Sequence, residues 1–258
     1  MVRNGGRAYD FLLMQGAAGH AVGRSYLLQD GKTAGVRKYP GNGVKLLIRK
    51  LRLFARARHD GLILQAGCGC YACGVTASLE TSRLLLRPLQ LADAAQTQVL
   101  FPHWEMVKFL TKQIPWPYPP DGALTYYRDV ALPAVERGEQ WHWTLRLRTA
   151  PEKHIGSIGL IAKEDHATRG FWLGLPWHGQ GLMTEAAVAV NDYCFDVLGF
   201  PLLRIPKAVD NVTSRRVSEK TGMRVVAMEE RDYISGRLMT EIWELTADDW
   251  QAKKPNIL

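Results

Sequence analysis

Long apolar runs are missing from this 258-residue chain. Nowhere do its hydrophobic residues approach the ~18 consecutive positions that a membrane-spanning helix needs, so a helical span is excluded. Cysteine is scarce: four in the whole sequence, three of them crowded at Cys68, Cys70 and Cys73. That is no framework for a disulfide-stapled fold, and three thiolates without a fourth ligand make a poor zinc site, so no metal is expected. The start does not read as a secretory signal, because Arg3 and Arg7 are followed by an apolar stretch of only four residues, 11–14, behind Asp10.

The first 77 residues are short of acid and devoid of tryptophan. They hold twelve Lys and Arg against Asp10, Asp30 and Asp60, a local net of +9, and 13 of the 24 glycines. Residues 78–258 hold 21 bases, 22 acids and all eight tryptophans, so the overall +8 belongs to the leader. A Gly-rich, base-rich segment has little apolar surface to offset ~1–2 kcal/mol of backbone entropy per ordered residue, and residues 1–77 are expected to be mostly unstructured. Within them, residues 45–58 (KLLIRKLRLFARAR) place Leu47, Leu51 and Phe54 on one helical face among bases. That pattern suits a membrane-surface helix, a nucleic-acid arm or a targeting sequence. A plainer reading makes Val75 an alternative initiator and the leader a start-site artefact, since a compact domain, 78–258, follows at once.

That domain reads as α/β. Residues 82–87 suit a strand ended by Pro88, and 91–100 a helix. Residues 115–120 (PWPYPP) form a stiff connector, because proline removes backbone donors. Asp121 is placed to cap a helix running to about residue 137, bent near Pro133. Strands follow at 141–148, 154–162 and 169–175, then an apolar helix at 184–198 stopped by Gly199, a strand at 201–207, a helix at 211–221 ended by Gly222, and a hairpin of 223–229 with 238–245 turning about Ser235 and Gly236. The sum is a mixed sheet of about seven strands with flanking helices.

The junction between the 169–175 strand and its helix carries the chemistry. A helix start presents unpaired N–H groups and partial positive charge, a ready anion site. Gly179 and Gly181 would let a diphosphate approach the backbone there, or would merely turn the chain. A dinucleotide fingerprint would need glycine at Thr184, and a phosphate-binding Walker loop would need Lys-Ser/Thr after its glycine. Thirty residues after Gly181 a second helix opens at Asn211 with NVTSRRVSEKTGM.

Three segments in order, LETSRLLLRP from Leu79, WHGQGLMTEA from Trp177, and the Asn211, Ser214, Glu219, Gly222 helix, resemble the GNAT family of acyl-CoA-dependent N-acetyltransferases, in particular its ribosomal-protein branch. The resemblance covers about residues 79–250. It implies a GNAT-like, mostly antiparallel sheet and transfer of an acetyl group from acetyl-CoA to a primary amine. It places the pantetheine arm along the backbone of Phe171, Trp172 and Leu173, and the diphosphate on His178, Gly179, Gln180, Gly181, Leu182, Met183 and Thr184. Asn211 would reach the pantetheine or a water while capping its helix. Ser214 is implied as the proton donor to the departing thiolate, with Ser218 standing where many relatives carry a tyrosine. Asp232 stands where the branch has an acid before Tyr-x-x-Gly and is implied as the base, with Glu105 and His142 as outsiders. Glu185 reads as a first-turn carboxylate without a catalytic role, and Trp116 and Tyr118 as acceptor-pocket aromatics or packing.

The expected acceptor is a protein N-terminal α-amine. An α-amine of pKa ~7.7–8.0 is partly neutral at pH 7, whereas a lysine of pKa ~10.4 is not, so the former asks less of a base. A small-molecule amine, or a non-catalytic acyl-CoA-binding module with a docking leader, are the alternatives. A cytoplasmic location is expected, no DNA partner follows, and a homodimer stays open.

Overall fold

The computed structural model of the protein describes residues 76–254. The basic stretch 45–58, the Cys68, Cys70 and Cys73 cluster, and Val75 lie outside the described residues. Eight strands form one sheet, β1 (Leu79–Glu80), β2 (Leu84–Pro88), β3 (Gln140–Leu147), β4 (Ala150–Ala162), β5 (Ala167–Leu173), β6 (Leu202–Ala208), β7 (Arg224–Tyr233) and β8 (Gly236–Thr246), in the order β1-β2-β3-β4-β5-β6-β8-β7. Every registered pairing is antiparallel except that of β5 with β6. The strand beyond the seven expected is the two-residue β1, too short to show a period.

Helices cover both faces. One carries α1 (Ala94–Leu100), α2 (Trp104–Val107), α3 (Gly122–Tyr126) and α4 (Leu132–Glu136), over a core of Phe101, Leu110, Ile114, Tyr126 and Trp172. The other carries α5 (Leu182–Asp192) and α7 (Ala247–Lys253), over Trp143, Leu145, Leu160, Ile205 and Trp250, with α6 (Val212–Lys220) beside them through Val217. Strand β5 shows how the alternation works: Trp172 enters the first core, while its neighbours Phe171 and Leu173 face the second. In β3, Trp143 and Leu145 are buried on one side and His142 and Thr144 on the other, because helices sit on both.

Three local departures have simple causes. The bend expected near Pro133 is a π turn at Tyr127–Ala131, the wider loop that a proline without an N–H invites just ahead of itself. The apolar helix expected to reach residue 198 is α5 as far as Asp192 and then a π turn, Tyr193–Val197, before Gly199. The hairpin turns on Ile234 and Ser235, because Tyr233 pairs directly with Gly236. Helix α7 follows a signal in the sequence itself: Thr246 accepts a hydrogen bond from Asp249 N at 3.1 Å, and Asp248 and Asp249 sit in the positive first turn. Among the described residues no helix is long and apolar enough to cross a membrane.

Candidate active site

Between β5 and β6 the sheet opens. The two strands run parallel and share a single registered pair, Ala167 with Leu203. Beyond it no ladder pair is registered on the β6 side among the described residues, and the backbone groups of Phe171 and Leu173 face that edge, while those of Trp172 between them face β4. The carbonyl of Leu173 is spoken for: His178 Nε2 lies 2.7 Å from it and donates to it.

His178 is thereby a clasp that folds the loop after β5 back onto the strand, with its backbone N–H also used on Leu175 O at 3.2 Å. The loop that it closes reaches α5 through two glycines in left-handed backbone, Gly179 at φ 77 and Gly181 at φ 76. Gly181 is the N-cap and offers no side chain to compete for the helix start. The first intrahelical bond runs from Glu185 N to Gly181 O at 3.1 Å, which leaves the amides of Leu182, Met183 and Thr184 ahead of the ladder. Leu182 and Met183 bury their side chains in the core, so they present only backbone to a ligand. Gln180 folds back along its own loop at the surface, donating to Pro176 O at 3.1 Å.

Glu185 holds this helix start to the turn between β1 and β2. It accepts from Thr81 Oγ1 at 2.5 Å, Ser82 Oγ at 3.1 Å, Arg83 N at 2.8 Å and Arg83 Nε at 2.7 Å. Partial burial alone would raise its pKa, but the donors around it prevail and hold it below the usual glutamate value. Arg83 also donates to Gln180 O at 3.0 Å, bringing a guanidinium beside the glycine loop. Replacing Glu185 with Ala frees these donors at once. The expected result is a loss of roughly 1.5–3 kcal/mol in urea unfolding, against less than about 1 for Arg83→Ala, whose pair is half-exposed.

On the far side of the opening, Asn211 caps α6 by accepting from Ser214 N at 3.2 Å. Ser214 is 3% exposed, and Lys207 Nζ donates to its Oγ at 2.6 Å. Ser218, one turn on, is fully buried, and its hydroxyl has no hydrogen-bond partner among the described residues. Lys207 is a residue that sequence reasoning passed over as the end of a strand. The signal was present, since Leu203, Ile205 and Lys207 share the inward period of β6.

The opposite face of β5 carries aromatics. Trp172 meets Phe101 at a centroid distance of 5.6 Å, and Phe101 meets Tyr118 at 5.3 Å. Beyond them Trp104 and Trp116 lie 5.7 Å apart, both over a third exposed. This wall is joined to the β7–β8 hairpin: Thr111 bridges Tyr233, Ile234 N donates to Leu110 O at 2.9 Å, and Ser235 Oγ to Lys108 O at 2.6 Å. Asp232 is exposed at that seam and makes no contact with Ser214. Of the acids on its strand, Glu229 is paired with Arg231, and Glu230 with Arg237 at 3.0 Å, whereas Asp232 has no ion pair among the described residues. Glu105 is exposed and paired with Lys108 at 2.6 Å. His142 is sealed inside the sheet on Gln140 at 2.6 Å, its pKa driven down to about 3 by burial, so it is no base for a bound substrate.

A helix start bearing free amides, an open strand edge and a hydroxyl across the gap form a composite binding cleft, and residues 83–224, which contain it, match the family model described as an acetyltransferase (GNAT) domain. The chain belongs to the GNAT acetyltransferase family. GNAT acetyltransferases use acetyl-CoA, and this protein is an acyl-CoA-dependent N-acetyltransferase. Solved structures share its fold. The ribosomal-protein-S5-alanine acetyltransferase of Vibrio fischeri is 15% identical over 67% of this chain and 98% of its own, at a TM-score of 0.58. Mycobacterium smegmatis RimJ, solved with CoA-disulfide, is 16% identical over 64% and 83%, at 0.56. A chimera of the Vibrio cholerae spermidine N-acetyltransferase SpeG and hSSAT is 16% identical over 66% and 99%, at 0.56. The cleft of this GNAT enzyme suits coenzyme A chemically: amides without side-chain competition for a diphosphate, an unpaired β edge for amide groups of the arm, and buried hydroxyls for a thioester sulfur.

Proposed function

We propose that this enzyme acetylates the α-amino terminus of a protein or peptide. The diphosphate of acetyl-CoA sits on the amides of Gly179, Gln180, Gly181, Leu182, Met183 and Thr184, and the arm follows the free edge of Phe171, Trp172 and Leu173 past Asn211. The acceptor enters from the aromatic face. Its nitrogen forms the new C–N bond while the C–S bond breaks, and Ser214 Oγ delivers a proton to the sulfur, a modest task because a thiol of pKa ~8.5 leaves readily.

The observation that carries the α-amine is Asp232. It is an exposed acid without an ion pair among the described residues, at the seam between the hairpin and the aromatic wall, while Glu105, Glu229 and Glu230 are committed to bases. A lone solvated carboxylate can take the proton of an amine that is already partly neutral; it is a poor match for a fully charged lysine side chain. Trp104 and Trp116, tilted 47° to each other, supply exposed apolar surface of the kind a peptide chain covers.

The test is thiol release from acetyl-CoA with peptides opening on Ala, Ser or Met, the same peptides with blocked N-termini, spermidine, and free amino acids. Open peptides are expected to be best and blocked ones inert; faster release with spermidine or an amino acid would overturn the acceptor assignment. Asp232→Asn and Ser214→Ala are each expected to lower kcat about 10- to 100-fold, with the KM for acetyl-CoA within about threefold. Unchanged turnover in both would remove the assigned roles.

A further inference from the structure

Lys207 is 1% exposed and lies at the mouth of the opening between β5 and β6. A lysine seldom stays buried without a carboxylate, since an unpaired ammonium in low dielectric is costly. Among the described residues none pairs with it. On β6 itself its inward neighbour is Ile205. Across β8 its registered partner is Glu241, but that carboxylate is taken by Arg215 at 2.7 Å and by Trp243 Nε1 at 3.0 Å. From β5 come Phe171, whose ring centre is 5.0 Å from Nζ, and Arg169, a second buried cation that bonds Asn191 of α5. From α6 comes Ser214, whose Oγ accepts from Nζ at 2.6 Å. Burial first, and the charge of Arg169 second, bring the Lys207 ammonium well below the ordinary lysine pKa.

The geometry points to Lys207 as the proton supply behind Ser214: as the coenzyme A sulfur departs it takes the Ser214 hydroxyl proton, and the serine oxygen recovers one from the Lys207 ammonium through the hydrogen bond that already joins them. The C–S bond breaks with its electron pair on sulfur, the S–H bond forms, and Lys207 ends neutral. The proton lost by the attacking amine reaches solvent, and solvent restores the ammonium before the next turnover. Lys207 is thus a positioning residue, acting through Ser214. The inference rests on the reading that Ser214 faces the sulfur.

Two features favour this over a role in packing alone. An aliphatic side chain would fill the same space against Phe171 without the cost of a buried amine. Lys207 Nζ also already stands 2.6 Å from Ser214 Oγ, within reach for passing a proton to it.

The experiment is the pH dependence of kcat for thiol release from acetyl-CoA, for the full chain and for Lys207→Arg, Lys207→Met and Ser214→Ala. It is run on the best amine of the screen above or, where no amine accelerates release, on the slow hydrolysis of acetyl-CoA, in which the same sulfur leaves. The wild type is expected to lose kcat on the alkaline side as Lys207 deprotonates. Lys207→Arg, permanently charged, is expected to keep kcat within about tenfold and to lose that alkaline fall. Lys207→Met is expected to lower kcat to about the level of Ser214→Ala with the KM for acetyl-CoA nearly unchanged, and to add little to Ser214→Ala. A purely structural lysine would move stability or KM and leave the alkaline limb in place. Loss of turnover in Ser214→Ala with wild-type kcat and pH profile in Lys207→Met overturns the lysine alone. Wild-type turnover in both variants overturns the serine with it. An alkaline fall that persists in Lys207→Arg overturns the proton supply even where Lys207→Met is slow.

Discussion

Acidification from pH 6.5 to 4 is expected to lower the stability of the folded domain by on the order of 5 kcal/mol, through two buried histidines. His142 is held down to about 3 by burial. His154 is held down to about 4, mainly by burial, with the charge of Arg146 adding to it and that of Asp93 opposing. In the unfolded chain both titrate near 6.5, so below that pH the unfolded state binds protons that the native state refuses. Stability therefore falls as pH falls, by about 1.4 kcal/mol per pH unit for each histidine, until the folded values are approached. Two carboxylates modulate the lower end with opposite signs: Glu185, held low by its donors, steepens the loss, and Asp192, held high by burial despite Lys254, softens it. Urea midpoints at pH 7, 6, 5 and 4 measure the slope, and His142→Gln or His154→Gln should each remove about half of it. A midpoint that does not move between pH 6.5 and 5 would show that neither ring is sealed as described.

Gly181→Val is expected to weaken coenzyme A binding about 100-fold while leaving the domain folded. The position sits at φ 76, and nothing backbone or rigid stands in the way of a Cβ: the nearest atom is Arg83 Nη2 at 3.7 Å. The penalty is therefore conformational, about 1–3 kcal/mol, and the chain relieves it by turning the residue out of left-handed backbone. Doing so rotates the amides of Leu182, Met183 and Thr184 away from a shared point. Two charge-assisted amide contacts weakened in this way amount to about 3 kcal/mol, or about two decades in Kd. Gly138 offers the control, because it has φ 69 with nothing within 4 Å and lies in the turn before β3, away from the cleft. Gly138→Val should show a comparable drop in thermal stability with unchanged affinity, measured by calorimetry with coenzyme A. Equal affinity loss in the two variants would mean that the loop at Gly181 is not the diphosphate seat.

The hairpin and the aromatic wall make a further point about the acceptor side. Segments 108–111 and 233–235 are more than a hundred residues apart in the chain, yet they are joined by backbone bonds and by the hydroxyl of Ser235. A variant that loosens this seam would be read in the KM of the amine, since Leu110 and Ile234 pack in the aromatic-side core.

Local signals in the amino-acid order determined a good deal about this protein: the period-2 stretch of β3, the apolar run of β4, the glycine pair ahead of α5, the Asn211 cap of α6, the glycine stops at Gly199 and Gly222, and the Thr246 cap of α7. Each depends on neighbours within a turn or a strand, so the physics that sets it is written in consecutive residues. Only the tertiary structure decided what those elements do together. It parted β5 from β6 after one pair, tied Glu185 to Thr81, Ser82 and Arg83, turned His178 back onto Leu173, and set the Lys207 amine on the Ser214 hydroxyl inside the core. Those relations run between different strands, loops and helices, and their energies come from burial and desolvation, which exist only once the chain has closed around them.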